Sequence, residues 1–572
     1  MYFPQLSTPR QSRVTVSRFL GLDRRPRGQE GSFREMENLC ADGYPTLTVR
    51  RPRGVAGSAV SPGGLTVKEG LIWVDGHTLY INGSAAGLAL SEGRKQLISM
   101  GAWLLIWPDK AYINTKDLTD FGSLENKRVT EGEVSFALCR PDGTVYSGYL
   151  AADEAPEEPE AGSLWLDTGG DETALRQYGQ DGWTAVDDVC VRMNAAGIGI
   201  GFTAGDGVAV SGCRETALNG SFPLRSVEDD YVVVTALPRS LSSQSDPVTV
   251  ERSVPDMDYV VESGNRLWGC KYGIVNGQAV NAIYASKLGD FKNWNCYAGL
   301  STDSYAASRG SDGAFTGAAD YLGNPLFFKE NCVERVYPSA SGAHQIVTVQ
   351  CAGVKSGSSG SLRVVDGKLY YHSQGGVCVF DGSMPVHVSQ ALGEMRYHNA
   401  VAGALDGSYY LSAADENGAW HLLVLDTRQG LWYWEDGVEA VGFAPWGGDL
   451  YCLTAAGQLL AMKGSGENRE GPVQWLAETG ELGLDAPESR YLVRLSLRLL
   501  PEADSTVRAW VSYDEGGSWQ PAGSLCGVGR LRACTMHVRP RRCRQLRLRL
   551  TGQGGCRIYS LSAVYEKGSD GP

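Results

Sequence analysis

Four short aromatic segments recur through the second half of the chain at nearly even spacing. They read Gly323-x-x-Leu326-Phe327, Gly367-x-Leu369-Tyr370, Gly407-x-Tyr409-Tyr410 and Gly448-x-Leu450-Tyr451, and the last aromatic returns after 43, 40 and 41 residues. A period of roughly 40 to 50 residues filled with short strands and glycine turns is the signature of β-propeller blades, small sheets that bury their faces only against one another. Earlier copies stand at Gly264-x-x-Leu267-Trp268 and Gly76-x-x-Leu79-Tyr80, and Leu71 to Asn82 resembles Leu104 to Asn114, with Tyr80 and Tyr112 32 residues apart. The rhythm predicts an all-β fold, a degenerate six- or seven-bladed β-propeller; an array of β-sandwiches is the alternative.

Composition agrees. The chain of 572 residues carries 73 Gly, 14 Trp, 26 Tyr and 13 Phe, which suits turns and half-buried strands, and long runs of helical period are missing. No 18 apolar residues run together, so no membrane segment is expected, and the arginine-rich start (Arg10, Arg13, Arg18, Arg24, Arg25, Arg27, Arg34) lacks the apolar run of a signal peptide. The 14 Cys form no C-x-x-C pair and are expected to be buried free thiols.

Five segments follow. Residues 1–54 form an N-terminal lead-in, in which the capping box Ser32-x-x-Glu35 predicts a short helix over 33–39, then a turn at Asp42-Gly43 and a strand from Leu47. Residues 55–121 hold the first blades. Residues 122–250 interrupt the rhythm and read as an inserted β-rich arm, with a Pro/Glu linker over 151–162 and a small aromatic module after it. Residues 251–466 hold the remaining blades, and the strand alternation of 467–572 predicts a C-terminal β-sandwich.

Charge is uneven. The net charge is −13, yet 490–557 hold 13 Arg, no Lys and four acids, a balance of +9 that leaves −22 for the rest. An acidic body is a poor DNA clamp but can dock against a basic end. Arg50, Arg51 and Arg53, and Arg539, Arg541, Arg542 and Arg544, are the candidates for oligomer or partner contact. In Leu546-Arg547-Leu548-Arg549-Leu550 the period of two instead places Leu inside and Arg outside.

Chemistry is sparse. P-loop, nucleophile-elbow and zincin motifs are missing, the seven His lack ligand spacing, and Gly199-x-Gly201-x-x-Ala204 runs into glycines rather than a helix. Neither catalytic nor metal residues nor a cofactor are expected, and the chain reads as no enzyme. Ser512-x-Asp514-x-Gly516-x-x-Trp519 resembles the Asp box of sialidase propellers, which in that family is a structural hairpin turn. Trp165, Tyr178 and Trp183 on the arm, and Trp432 and Trp434 in a blade, could present ring faces to a glycan; buried core is the alternative.

Several segments together resemble tail-nozzle and packaged-DNA stabilisation (head–tail hub) proteins of tailed bacteriophages. These are Gly31 to Gly54 with its Asn38-Leu39, Asp42-Gly43 and Arg51-Pro52, Asn265 to Gly269 followed by Ala282 to Trp294, Leu326 to Tyr337, and Asp366 to Gly382. Gly162 to Trp183 is similar to a small module of phage tail and receptor-contacting proteins. The resemblance implies a structural virion protein, assembled in the host bacterial cytoplasm. It would act in the tail as a homo-oligomeric, sixfold ring that contacts neighbouring head–tail proteins and passes DNA without sequence preference. The inserted arm and the Arg-rich sandwich do not map onto a known nozzle, and two other readings stay open. One is a tail-tip protein binding host surface glycan or receptor; the other is a glycan-processing enzyme on a propeller scaffold.

Overall fold

The computed structural model describes residues 11–567, except 27, 171, 298, 395, 467, 483–489, 514–517, 537, 540 and 544–545. The fold is all-β, of propeller type, with an inserted β-rich arm and a C-terminal β-sandwich. Its regular helix among the described residues is confined to three single-turn 3-10 segments.

Six blade sheets are antiparallel four-strand meanders, beginning at Pro62, Gln96, Tyr259, Gly317, Arg363 and Tyr397. In a further sheet Ala440–Trp446, Asp449–Thr454 and Gln458–Ala461 take their fourth strand from the other end of the chain, Gly54–Ser58. The cadence has a local cause. Before each marked strand two consecutive residues adopt positive φ: Leu322 and Gly323 (54° and 74°), Asp366 and Gly367 (45° and 77°), Asp406 and Gly407 (50° and 78°), Gly447 and Gly448 (58° and 79°). Two such residues form the type I′ loop whose twist matches that of the flanking strands, and a two-residue loop fixes the register of the hairpin. Phe327, Tyr370, Tyr410 and Tyr451 therefore all sit on the second strand of their sheets, as does Trp268. Tyr80 and Tyr112 resemble each other but sit on third strands, Thr78–Ile81 and Ala111–Asn114, out of phase with the later markers.

The chain divides into two compact units. One, built from 1–95, 328–333 and 349–572, contains four blade sheets and the sandwich, and a continuous core runs from Tyr370, Tyr409 and Trp432 to Leu497, Leu548 and Ile558. The other, 96–327 and 334–348, holds the remaining blade strands and the arm. There Trp268, Cys270, Phe315, Phe327 and Val336 form one cluster, and Trp107, Leu267, Phe291 and Trp294 another. Each such fully buried large side chain contributes about 2–3 kcal/mol of apolar burial.

The lead-in does not form the expected helix. Phe33–Glu37 and Leu39–Cys40 are strands, kinked where Asn38 takes φ 59°. The Ser32 hydroxyl donates to Gln29 O at 2.6 Å instead of capping a helix. Seven residues are too few to hold a helix alone, whereas pairing with Gln474–Thr479 buries Phe33 and Met36. Tertiary pairing outweighs the local capping signal.

Nor does the lead-in stand apart: its strands join both sheets of the sandwich. One sandwich sheet is ordered Leu39–Cys40, Leu47–Val49, Cys556–Lys567, Arg490–Pro501, Arg532–Met536, with Gln11–Val16 also alongside Cys556–Lys567. The other is ordered Phe33–Glu37, Gln474–Thr479, Arg547–Gln553, Thr506–Ser512, Gln520–Cys526.

The arm is a seven-stranded sheet closing on Val134, Leu138, Val191, Met193, Val208, Val232 and Val250. A four-stranded module, Tyr149–Ala152, Leu164–Asp167, Ala174–Gly179 and Gly182–Ala185, is inserted between two of its strands and adds Leu166 and Leu175 to that core.

Candidate functional site

Arg50 and Arg53 lie inside the chain. Arg50 is 5% exposed. Its Nε donates to Asn38 Oδ1 at 2.8 Å, its Nη2 to Asp436 Oδ2 at 2.6 Å and its Nη1 to Arg51 O at 3.0 Å, with Glu470 in a further ion pair and Glu435 3.9 Å away. Arg53 donates to Glu435 Oε2 at 3.1 Å and to Asp436 O at 3.0 Å. Asn38 completes the knot, donating to Asp436 Oδ1 at 2.8 Å and Gln474 O at 2.7 Å. Burial disfavours the Asp436 carboxylate, but hydrogen bonds from Asn38 and Arg50 outweigh it and hold its pKa below the ordinary range. The reading of Arg50 and Arg53 as partner contacts is thus corrected: three carboxylates brought close by the fold require buried counter-charge. Arg51 alone of the three is exposed.

Beside Arg51 lies a cavity of about 470 Å³ lined in part by Asp42, Tyr410, Asp426, Arg428 and Lys463. Burial works against the Lys463 ammonium, yet Tyr410 and Asp42 beside it more than offset that and raise its pKa above the usual lysine value. Four cations, Arg50, Arg51, Arg428 and Lys463, and four carboxylates, Asp42, Asp406, Asp426 and Glu435, line this cavity, so it has no dominant sign with which to attract a charged ligand.

The two blade tryptophans differ. Trp432 is 1% exposed and donates its indole N–H to Val388 O at 2.8 Å, so it is core and offers no face to a glycan, a second correction. Trp434 is half-buried, covered by the Arg24 guanidinium 4.4 Å from its ring centre and by His421 at 4.5 Å.

On the arm the three aromatics converge. Trp165 stands opposite Arg176, and Tyr178 opposite Trp183, so all four share the module face turned away from Leu166 and Leu175. Trp165 is the floor, 7% exposed, with its indole N–H on Ala152 O at 2.9 Å. Trp183 packs edge-on to it at 5.5 Å and against Tyr178 at 5.3 Å, and both upper rings are half-buried. Arg176 lies 5.9 Å from the Trp165 ring and donates to Asp167 Oδ2 at 2.9 Å. Two partly open rings beside a charged donor–acceptor pair suit a polar ligand with an apolar face.

The arm is firmly mounted within its unit. Asn293, fully buried, accepts Gly207 N–H at 2.6 Å; Arg252 forms a buried ion pair with Asp206 and donates to Leu124 O at 3.0 Å. Arg266 donates to the carbonyls of Ser286 and Asp303 at 2.8 and 2.6 Å, fixing the loop that carries Asn293. These polar anchors have no sequence signal beyond the motif containing them.

In the sandwich, Leu546, Leu548 and Leu550 are buried, while Arg547 and Arg549 flank Glu478 at 3.1 and 2.7 Å. Trp519 stacks on Arg549 at 4.0 Å. Ser512, fully buried, ends a strand paired with Gln520–Cys526, so the Asp-box segment joins two strands of one sheet; Asp514 and Gly516 lie outside the described residues. Arg539 and Arg541 are exposed, and Arg544 and the Arg542 side chain also lie outside the described residues. Among the described residues no group of three or more His, Cys, Asp or Glu is arranged to hold a metal ion, and no helix is long and apolar enough to cross a membrane. All 14 Cys are free thiols, with Cys526 the exposed one.

No family model matches this chain, and no curated protein matches it either. Among solved structures it is similar to PorZ, a surface component of the type-IX secretion system of Porphyromonas gingivalis. Identity is 12% over 88% of this chain and 82% of that one, with a TM-score of 0.26. Phage phi92 endosialidase is 10% identical over 75% of this chain and 66% of that one, with a TM-score of 0.24. Trypanosoma rangeli sialidase is 9% identical over 98% and 97%, with a TM-score of 0.21. These values carry nothing about activity, and the fold assignment stands on the sheets themselves.

Proposed function

We propose that this chain is a structural protein of a tailed-phage virion or prophage, a subunit of the tail nozzle or head–tail conduit that holds and passes DNA. One observation carries the reading. The lead-in segment, which bears part of the nozzle resemblance, supplies strands to both sandwich sheets and then the fourth strand, Gly54–Ser58, of a blade sheet. Between the two, Arg50 and Arg53 lock it to Glu435, Asp436 and Glu470. Strands of a sheet loaded along their length separate only when many hydrogen bonds break together, which suits a part that bears load during assembly and DNA passage. The net charge of −13 favours sliding of DNA over gripping it. Negative-stain electron microscopy of the purified protein tests this. Closed rings of uniform size are expected; monomers at every concentration and salt would overturn it.

A second reading, host-glycan binding by the arm, is favoured by the convergence of Trp165, Tyr178, Trp183 and Arg176 on one face. A glycan array probed with the protein tests it: retention lost on Trp183→Ala supports the reading, and no retention on any glycan rejects it.

A further inference from the structure

The outer face of one sandwich sheet is basic across three adjacent strands, Gln11–Val16, Cys556–Lys567 and Arg490–Pro501. On Arg490–Pro501 the side chains of Leu495, Leu497 and Leu499 point into the core, so Arg494, Ser496 and Arg498 point out. Register carries the face sideways. Arg494, Ser496 and Arg498 stand opposite Val564, Ser562 and Ser560, which in turn bring up Arg13 and Thr15 on the next strand, and Arg557 stands opposite Thr48. Arg13, Arg494, Arg498 and Arg557 are all exposed. Arg13 reaches Ser562 Oγ at 3.3 Å, but none of the four is in an ion pair among the described residues. Glu566, at the end of its strand, is bonded to Gln11 at 2.9 Å. Arginine rather than lysine throughout suits bidentate binding of carboxylates.

The chain carries a complement elsewhere. Asp153, Glu154, Glu157, Glu158 and Glu160 on the arm are exposed, with no cation among them and no ion pair among the described residues. Asp153 accepts from the Thr168 hydroxyl at 2.6 Å. This segment lies beyond the strand Tyr149–Ala152 and is irregular, with bends at 153–154 and 157–158, and it gathers five carboxylates within eight residues, so its fit to the arginine face is one of charge.

We propose that the Arg13/Arg494/Arg498/Arg557 face of one copy binds the 153–160 acidic segment of a second copy of this chain. The contact is heterologous, head to tail, and copies joined by it close into rings or grow as filaments. The inference rests on the reading of the chain as an assembly component, and its test separates the two. Light-scattering mass is measured across salt for the wild type, Arg494→Glu/Arg498→Glu, Glu154→Arg/Glu158→Arg and the fourfold combination. Circular dichroism checks that each variant folds. Assembly at low salt should weaken toward 1 M salt, where charges are screened within about 3 Å. Each double variant should weaken it about tenfold or more, and the combination should restore it. Oligomers indifferent to both double variants overturn this contact while leaving the assembly reading intact. Monomers throughout overturn both. A 20-base-pair duplex whose fluorescence anisotropy rises with the wild type but not with Arg494→Glu/Arg498→Glu, without any change in protein mass, overturns the contact in favour of nucleic acid.

Discussion

Replacing Arg50 by Met tests the lead-in lock most directly. The substitution keeps the bulk and apolar stem of the side chain and removes a guanidinium that holds Asn38, Asp436 and Glu470, with Glu435 close by. Removing one partner of a buried ion pair costs about 3–5 kcal/mol. Two features discount that figure: the Asp436 and Glu470 side chains are 47% and 36% exposed, so water rescues part of their charge, and Glu435 keeps Arg53 at 3.1 Å. A loss of about 2–3 kcal/mol is expected. For a unit of about 300 residues an unfolding entropy of about 2.1 cal/mol/K per residue turns this into a melting-point drop of about 3–5 °C. Differential scanning calorimetry reads the drop, with Arg51→Met, an exposed neighbour, as control. Pairing Arg50→Met with Glu435→Gln should recover part of the loss, because the excess carboxylate is then neutral. The deficit should also shrink in acid as the orphaned carboxylates protonate. A loss no larger than that of Arg51→Met, or one that does not change with pH, would refute the buried lock.

Further outcomes follow from other parts of the fold. Asp436 has a folded pKa below its unfolded value of about 3.9, so its contribution is present above that value and lost as pH falls through the folded pKa; acid titration of Asp436→Asn should lack that loss. Leu322, 73% exposed with φ 54° in a type I′ loop, holds a conformation that costs a branched residue about 1 kcal/mol, so Leu322→Asn should raise the denaturation midpoint. Trp165→Ala should cost about 3–5 kcal/mol and unfold the arm module, whereas Trp183→Ala leaves it folded, as near-ultraviolet circular dichroism will report. Asn293→Ala removes the acceptor of Gly207 N–H, and hydrogen exchange at 199–207 should accelerate while the blade strands stay protected.

What could be read along the chain was what is locally encoded. In the four later copies a pair of positive-φ residues ending in Gly sets a type I′ loop, each loop sets its hairpin, and the aromatic after it falls on the second strand. The Leu/Arg alternation of 546–550 was readable for the same reason, since a period of two needs no knowledge of the partner strand. The capping box at Ser32 misled, because it too is local and was overruled by a strand more than 400 residues away. Trp432 and Trp434, two residues apart and alike in sequence, part company because Val388 and the core claim one and Arg24 the other.

By itself, then, the sequence determined the all-β class, the blade rhythm and the uneven charge, since turn conformation, side-chain alternation and composition depend on neighbours in the chain. Tertiary structure decided that the strands Gln11–Val16, Phe33–Glu37, Leu39–Cys40 and Leu47–Val49 belong to the C-terminal sandwich and that Gly54–Ser58 completes a distant blade sheet. It also decided that Arg50 and Arg53 are interior counter-charges while Arg13, Arg494, Arg498 and Arg557 share an open face. Whether an arginine is buried beside a carboxylate or presented to a partner depends on strands that meet only after folding, and no local pattern encodes that pairing.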